Sequence, residues 1–178
     1  MNTKRIMIIG SPGSGKSTFA RKLRDRSGLP LFYLDMIKHK SDRTEISSEE
    51  FDMKLMEILR FPEWIIDGNY QRTIDIRMKK ADTIILFDLP TEVCLEGAIA
   101  RIGTKREDLP WVETEETLES GFGQWIEQFS EKQLPEIYGM SDLISVPYSC
   151  FHQEQRGMGG IFRCHFSILK IHHYYTIF

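Results

Sequence analysis

The 178-residue sequence lacks the features that would direct it into or across a membrane. No apolar run approaches the ~20 residues that span a bilayer. The run at residues 6–9 leads straight into Gly and Ser, and is too short for the core of a signal peptide. The three cysteines, Cys94, Cys150 and Cys164, are odd in number and form no CxxC pair, which is typical of free thiols in a reducing cytosol. We therefore expect a cytoplasmic protein with no membrane partner and no cysteine-based zinc site.

The chain also lacks an excess of positive charge. Its formal net charge is −3, so no overall basic field attracts a nucleic-acid backbone. The hydrophobic share of 41% and the charged share of 28% are ordinary for a globular protein. A chain of this length fits a single domain over residues 1–178, with a core of useful size.

Short apolar runs alternate with helical patterns along the chain. Four strands are predicted in RIMIIG, LPLFYLD, EWIIDGN and ADTIILFDLP, and a fifth in DLISVPY. Alternating strands and helices indicate a parallel sheet with helices on both faces, an α/β fold of three layers. Helices are predicted over about residues 15–27 and 91–102, each after a strand.

Two further helices have recognisable signals. Ser47 and Glu50 form a capping-box pattern that opens a helix ended by Pro62. A later helix, which Pro135 should end, carries apolar residues at helical spacing. They are predicted to pack in the core: Leu118, Phe122, Trp125, Ile126 and Phe129.

The segment GSPGSGKST matches the P-loop pattern GxxxxGKS, and lies between a predicted strand and a predicted helix. In such a loop, glycines let backbone N–H groups point at phosphate oxygens, and the helix N-terminus adds its dipole. The pattern is a strong signal for ATP-type binding and a weak one for the chemistry that follows. The predicted phosphate-binding residues are Gly10, Ser11, Pro12, Gly13, Ser14, Gly15, Lys16, Ser17 and Thr18.

The same segment predicts a Mg²⁺ site. Lys16 is expected to neutralise the β and γ phosphates, and Ser17 to offer its hydroxyl to the metal. A strand-end carboxylate can hold Mg²⁺ through its water shell. Asp67 and Asp88 both end strands, and we favour Asp67 over Asp88 for this role.

Other segments narrow the class of P-loop protein. The chain has no Asn-Lys-x-Asp segment for reading guanine, and no Asp-Glu pair at a strand end as in many motor ATPases. A compact phosphotransferase fits better. Asp35 ends the second strand, where open α/β sheets place ligands, and is predicted to orient an acceptor hydroxyl or act as a base.

Two arginine groups follow the strands. Arg72 and Arg77, in DGNYQRTIDIR, are predicted to grip an acceptor phosphate. Arg101, Lys105 and Arg106 form a basic loop that is predicted to close over the triphosphate. For each single arginine, a solvated surface role is the alternative.

Three segments together resemble a family. RIMIIGSPGSGKSTFARKL, WIIDGNYQRTIDIRMKKADTIILFDLP and REDLPWVETEE are similar to the DNA topology modulation proteins (FlaR-like), relatives of adenylate kinase. The resemblance covers about residues 4–138, and DGNY with the following arginine is its most specific part. It implies ATP binding, a nucleotide-kinase-like fold and strand order 2-3-1-4-5. A link to nucleic acid follows from the family name alone.

Comparison with adenylate kinases proper shows departures. The segment DGNYQRT resembles their DGFPRT turn with one extra residue, which implies that Arg72 is the acceptor-phosphate arginine. Arg101 resembles the arginine at the base of their lid. Here the lid is a short loop over residues 101–116, and Gly97 stands where a second helix arginine is expected. These departures leave the acceptor open.

The tail from residue 141 to 178 differs from the rest of the chain. It is poor in charge, rich in aromatic residues and without a clean period, and the resemblance stops before it. Three interpretations remain: a packed extension, a change of reading frame in the source gene, or an exposed surface that forms an oligomer. Four of the five histidines lie there: His152, His165, His172 and His173.

The sequence thus predicts a Mg²⁺-dependent, ATP-binding phosphotransferase that acts on a small acceptor, with residues 36–62 on the acceptor side. A regulatory ATP-binding protein that affects DNA topology is one alternative. A metabolite kinase of the shikimate or gluconate type is another.

Overall fold

The computed structural model describes residues 4–143, 149–157 and 160–171, with side chains up to residue 140 apart from 117, 118 and 120. The strands are β1 (Arg5–Gly10), β2 (Leu31–Tyr33), β3 (Trp64–Asp67), β4 (Thr83–Asp88), β5 (Ser149–Gly157) and β6 (Gly160–Ile171). The helices are α1 (Lys16–Ser27), α2 (Leu34–Lys38), α3 (Ser48–Ile58), α4 (Ile74–Lys80), α5 (Thr91–Ile99), α6 (Glu115–Thr117) and α7 (Gly123–Leu143). A 3-10 turn, Gln71–Thr73, precedes α4, and a π-helical segment, Leu118–Phe122, precedes α7.

The sheet has the order β2-β3-β1-β4-β6-β5. Its first four strands are parallel, which confirms the α/β class and the order of these four. The predicted fifth parallel strand is not confirmed. Next to β4 the structure has β6, which runs antiparallel and pairs from Thr83↔Ile171 to Asp88↔His165, and β5 pairs antiparallel with β6.

Helix α7 explains part of this difference. The helix passes through Pro135 and ends at Leu143, so the prediction that Pro135 ends it is wrong. Proline removes one helical hydrogen bond, but Leu134 and Ile137 on either side of it are buried against the core and hold the helix in place. The beginning of the predicted strand DLISVPY is therefore helical, and residues 144–148 lie outside the described residues.

Alternation along the strands divides the core into two layers. Met7 and Ile9 of β1 pack with residues of α3, α4 and α7 on one face of the sheet. Ile6 and Ile8 pack with residues of α1 and α5 on the other face. Successive side chains of a strand point to opposite faces of the sheet. Strands that are apolar at nearly every position therefore pack against helices on both faces, as the sequence predicts.

Helix termini follow local signals. Ser47 Oγ accepts a hydrogen bond from the Glu50 N–H at 3.1 Å and caps α3. In a full capping box the Glu50 carboxylate would also accept from the Ser47 N–H. Among the described residues it pairs with Lys54 at 2.8 Å instead. Gly28 ends α1 in the left-handed conformation, with its N–H bonded to Arg24 O, as the sequence predicts.

The described part of the tail widens the sheet by two strands. The three interpretations of the tail, as a packed extension, a change of reading frame or an oligomer-forming surface, all stay predictions. The division of the chain into an acceptor-side segment (36–62), a short lid-like loop (101–116) and a tail (141–178) also stays a prediction. His172 and His173 lie outside the described residues. Within the described ranges, none of the helices combines the length and the apolar character that a bilayer span requires.

Candidate functional site

The P-loop segment turns sharply between β1 and α1. Gly10, Gly13 and Gly15 have φ values of 123°, 79° and 86°, a region that side chains with a Cβ rarely adopt. Helix α1 begins directly afterwards, at Lys16. The loop and the helix N-terminus thus form the concave backbone that suits an anion.

The backbones of β4 and α5 pack closely against this loop. A Cβ on Gly10 would lie 2.2 Å from Phe87 O of β4, and one on Gly13 would lie 2.1 Å from Cys94 O of α5. A Cβ on Gly97, also in α5, would lie 2.2 Å from Gly13 O. This close approach explains why glycine, and not arginine, occupies position 97.

Asn69 fastens the loop from the other side. Its Oδ1 accepts from the Gly10 N–H at 2.9 Å, and its Nδ2 donates to Gly10 O at 3.0 Å. The side chain belongs to the turn after β3, one strand away from the P-loop. Sequence reasoning missed this role, although Asn69 lies within the most specific part of the resemblance.

Lys16 and Asp67 form the charged centre of the cradle. Lys16 Nζ donates to Ser11 O at 2.7 Å, and burial lowers the pKa of Lys16 while Asp67 opposes that effect. The side chain of Asp67 is buried, with 5% of the residue exposed. Burial raises the pKa of Asp67 to about 6, against the opposing effects of Lys16 and Ser17.

The donor set next to Lys16 fits Mg²⁺. Asp67 Oδ1 is buried, and no other described residue hydrogen-bonds it. A buried polar atom without a partner is costly, and a bound ion or its water shell would satisfy it. Ser17 lowers the pKa of the Asp67 carboxyl and also that of Asp108, so its hydroxyl lies near both carboxylates.

The structure does not bring Asp88 to this centre. Its Oδ2 accepts a hydrogen bond from Tyr138 Oη at 2.9 Å, and Asp88 lies outside the set of residues that line the cleft. Of the two predicted carboxylates, Asp67 is the one beside Lys16 and Ser17.

A cleft of about 570 Å³ opens in front of the P-loop. Its first wall contains Lys16, Ser17 and Asp67. Its second wall contains Asp35 of α2 and the turn of residues 68–71. Its third wall is formed by the loop of residues 101–113 and the helical segment after it.

Arg101 and Arg106 both face the cleft, and both are paired with acidic side chains. Arg101 Nε lies 2.8 Å from Glu113 Oε2, and an Nη of Arg106 lies 2.6 Å from the same oxygen. Arg106 also binds both carboxylate oxygens of Asp108. The two guanidinium groups are thus held at the cleft by acids, an arrangement that incoming phosphates can replace.

Arg72 lies outside the cleft. It makes a two-bond ion pair with Asp52 of α3 at 2.7 and 2.6 Å, and its side chain is 56% exposed. It lines a separate depression of about 160 Å³ that also includes Lys38 and Phe51.

Arg77 has a structural place. Its guanidinium is completely buried and donates to the carbonyl oxygens of Gly68, Asn69, Tyr70 and Thr73. Burial lowers its pKa to about 9. The structure therefore does not present Arg77 to an acceptor phosphate, and its bonds instead fix the turn that carries Asn69.

Asp35 meets an aromatic partner at the second wall. Tyr70 Oη donates to Asp35 Oδ1 at 2.8 Å, and the Tyr70 ring stacks on Phe51 with centroids 4.9 Å apart. Burial and the negative charge of Asp35 raise the pKa of Tyr70, so the phenol keeps its proton. The sequence predicts Asp35 at the end of the second strand, but β2 ends at Tyr33 and Asp35 lies in the first turn of α2. Its role towards an acceptor stays a prediction, and sequence reasoning missed Tyr70.

The predicted core stripe is divided. Ile126 and Phe129 are buried as expected, but Phe122 and Trp125 line the cleft, and Trp125 is 37% exposed. Trp111 of the basic loop lines it too, with its ring 5.1 Å from that of His39. Helical spacing shows that a face is apolar, but not that part of the face borders a cleft.

The parallel strands, the flanking helices and the phosphate-binding loop form an α/β architecture that is consistent with a P-loop kinase fold. Two curated adenylate kinases from Thermotoga neapolitana are each 23% identical to the chain over 127 residues. The match covers 54% of this chain and 57% of each relative, so the chain spans little more than half of their length. No family model matches the chain. The similarity supports an adenylate kinase-like P-loop protein.

Proposed function

We propose that the protein is a Mg²⁺-dependent phosphotransferase that moves the γ-phosphoryl group of ATP to a small acceptor. One observation carries this proposal: Lys16, Ser17 and Asp67 line the same cleft as Arg101 and Arg106. Phosphoryl transfer requires little more than positioned phosphates and positive charge around the transferring group. The distant similarity to adenylate kinases supports the same class.

Each residue then has a definable task. Lys16 exchanges its bond to Ser11 O for phosphate oxygens, and the backbone of residues 10–18 donates N–H groups to them. Arg101 and Arg106 leave their acidic partners to stabilise charge on the transferring group. Mg²⁺, held by Ser17 and by Asp67 through water, would neutralise the β and γ phosphates.

Removal of the P-loop lysine tests the proposal. We expect Lys16→Ala to reduce ATP turnover at least 100-fold, because the charge on the β and γ phosphates loses its partner. ADP release with Mg·ATP is measured over a panel of acceptors. Lys22→Ala, on the exposed face of the same helix, is the matched control and should leave turnover unchanged. Equal activity of both variants would contradict the proposal.

The assignment as a FlaR-like modulator of DNA topology remains a prediction, as does any nucleic-acid partner. A steep loss of DNA affinity between low and high salt would support that role. An affinity that stays weak at every salt concentration would remove it.

A further inference from the structure

The second wall of the cleft, which contains Asp35 and the turn of residues 68–71, is the side assigned to the phosphoryl acceptor, and it is poor in available positive charge. Lys38, on the helix that carries Asp35, donates to Ile46 O at 2.8 Å and pairs with Glu45 at 3.2 Å. Arg72 is paired with Asp52 outside the cleft, and Arg77 is committed to backbone carbonyls. Within the described part of the chain, the arginines that line the cleft are Arg101 and Arg106 of the loop of residues 101–113, and both are paired with Glu113.

This wall instead carries oxygen atoms that accept hydrogen bonds. Asp35 lines the cleft with a carboxylate, and Tyr70 occupies its Oδ1. The second oxygen, Oδ2, is therefore the one that a substrate hydroxyl can approach. A phosphate on the substrate would instead meet the negative charge of Asp35, and like charges at short range repel.

Gln71 adds a second oxygen that can accept a hydrogen bond from a substrate. Its Nε2 donates to Glu136 Oε2 at 3.1 Å, which fixes the amide. Its Oε1 is buried, and no other described residue hydrogen-bonds it. Gln71 follows Tyr70 and lines the same cleft, so a donor on a bound molecule would satisfy this oxygen.

We propose that the acceptor is an uncharged molecule with two or more hydroxyl groups, such as a nucleoside, a sugar or a polyol, and not a nucleoside monophosphate. One hydroxyl donates to Asp35 and a second to Gln71. This inference rests on the proposed phosphotransferase function and specifies its substrate class. It differs from the substrate that similarity to adenylate kinases would suggest.

The chemical step balances with ATP as the phosphoryl donor. The acceptor oxygen forms a bond to the γ-phosphorus while the bond from that phosphorus to the β,γ-bridging oxygen breaks. The hydroxyl proton passes to Asp35 and then to solvent, and the products are a phosphate monoester and ADP. Tyr70 is a positioning residue in this scheme, because it holds Asp35 through Oδ1 and is itself held by Phe51.

The test compares two acceptor sets at equal concentration with Mg·ATP. One contains nucleosides, aldoses and polyols, and the other contains the nucleoside monophosphates. ADP release and the mass of the product are measured. At least one neutral alcohol should raise ADP release 10-fold or more over the acceptor-free rate, and the monophosphates should not. A monophosphate that stimulates more than every alcohol overturns the inference and leaves the proposed function standing.

ATP binding separates the two failures. If calorimetry shows that Mg·ATP binds but no alcohol stimulates ADP release, the substrate class is wrong. If Mg·ATP does not bind, the proposed function itself fails, and the inference fails with it.

Variants of Asp35 provide a second readout. We expect Asp35→Asn to lower kcat with the best alcohol at least 100-fold with little change in the KM for ATP, and to tighten the binding of AMP. Asp75→Asn, an exposed carboxylate on α4, is the control and should change neither. A purely structural role of Asp35 would shift the melting temperature and leave the preference between alcohol and monophosphate unchanged, which would overturn the inference.

Discussion

Asn69 holds Gly10 by both of its backbone polar groups, so the turn after β3 and the start of the P-loop form one unit. Arg77 fixes this turn by donating hydrogen bonds to the carbonyl oxygens of Gly68 and Tyr70. A chain of hydrogen bonds therefore runs from α4 through the turn to the P-loop. The shape of the cradle depends on residues well outside the P-loop motif.

We expect Asn69→Ala to weaken ATP binding. Each lost hydrogen bond is worth about 1 kcal/mol, so the pair corresponds to about 2 kcal/mol, a roughly 30-fold change if it all falls on the bound state. The Kd for Mg·ATP, measured by calorimetry, checks this. Asn69→Asp should be at least as damaging, because a carboxylate oxygen would face Gly10 O. An unchanged Kd in both variants would show that Gly10 does not need the clamp.

The contact between Gly97 and Gly13 leads to a second prediction. A methyl group at position 97 would fall 2.2 Å from Gly13 O, so Gly97→Ala must displace α5 or the P-loop. We expect a loss of ATP affinity of at least 10-fold together with a lower melting temperature. Backbone atoms yield less readily than a flexible side chain, which is why one methyl group suffices.

Gly139 is the matched control for this substitution. It lies in α7 with nothing within 4 Å of an added Cβ. Alanine is favoured over glycine in a helix by roughly 1 kcal/mol. Gly139→Ala should therefore raise the melting temperature slightly and leave the Kd for ATP unchanged. If the two alanine variants behave alike, close packing of α5 is not what limits position 97.

Asp67 predicts a pH dependence with a definite direction. Its folded pKa of about 6 is above the ordinary value of about 3.9, so the folded state binds this proton more tightly than the unfolded state. The resulting stability is fully present below about pH 4 and is lost as the pH rises through 6. A shift of about 2 units corresponds to roughly 3 kcal/mol.

The comparison of wild type with Asp67→Asn isolates that contribution. Without Mg²⁺ and ATP, the free energy of unfolding of the wild type relative to the variant should fall between pH 4 and pH 7, as measured by urea denaturation. Mg·ATP binding should show the opposite trend, since the ionised carboxylate is the form that attracts the metal. A pH-independent difference in stability would mean that Asp67 is ionised throughout.

The sequence predicted the parts of the site that local patterns encode. The spacing of glycines and Lys16 is enough to predict the cradle, and apolar runs are enough to predict the four parallel strands. It did not separate Arg72 and Arg77 from the cleft arginines, because the direction of a guanidinium depends on partners far along the chain, such as Asp52. Tyr70 and Trp125 were missed for a similar reason, since aromatic residues serve core and cleft equally well.

The cleft arginines give the last prediction. Arg106→Ala should lower the turnover number about 100-fold or more, because it removes positive charge that lies at the cleft, and the KM for ATP should change less. Arg72→Ala removes an exposed ion pair with Asp52 that is worth at most about 1 kcal/mol, so it should change turnover less than threefold. Steady-state kinetics with the best acceptor, which gives the turnover number and the KM for ATP of each variant, checks both expectations. A larger loss in Arg72→Ala would mean that Arg72 leaves Asp52 and turns towards the acceptor when ligands bind.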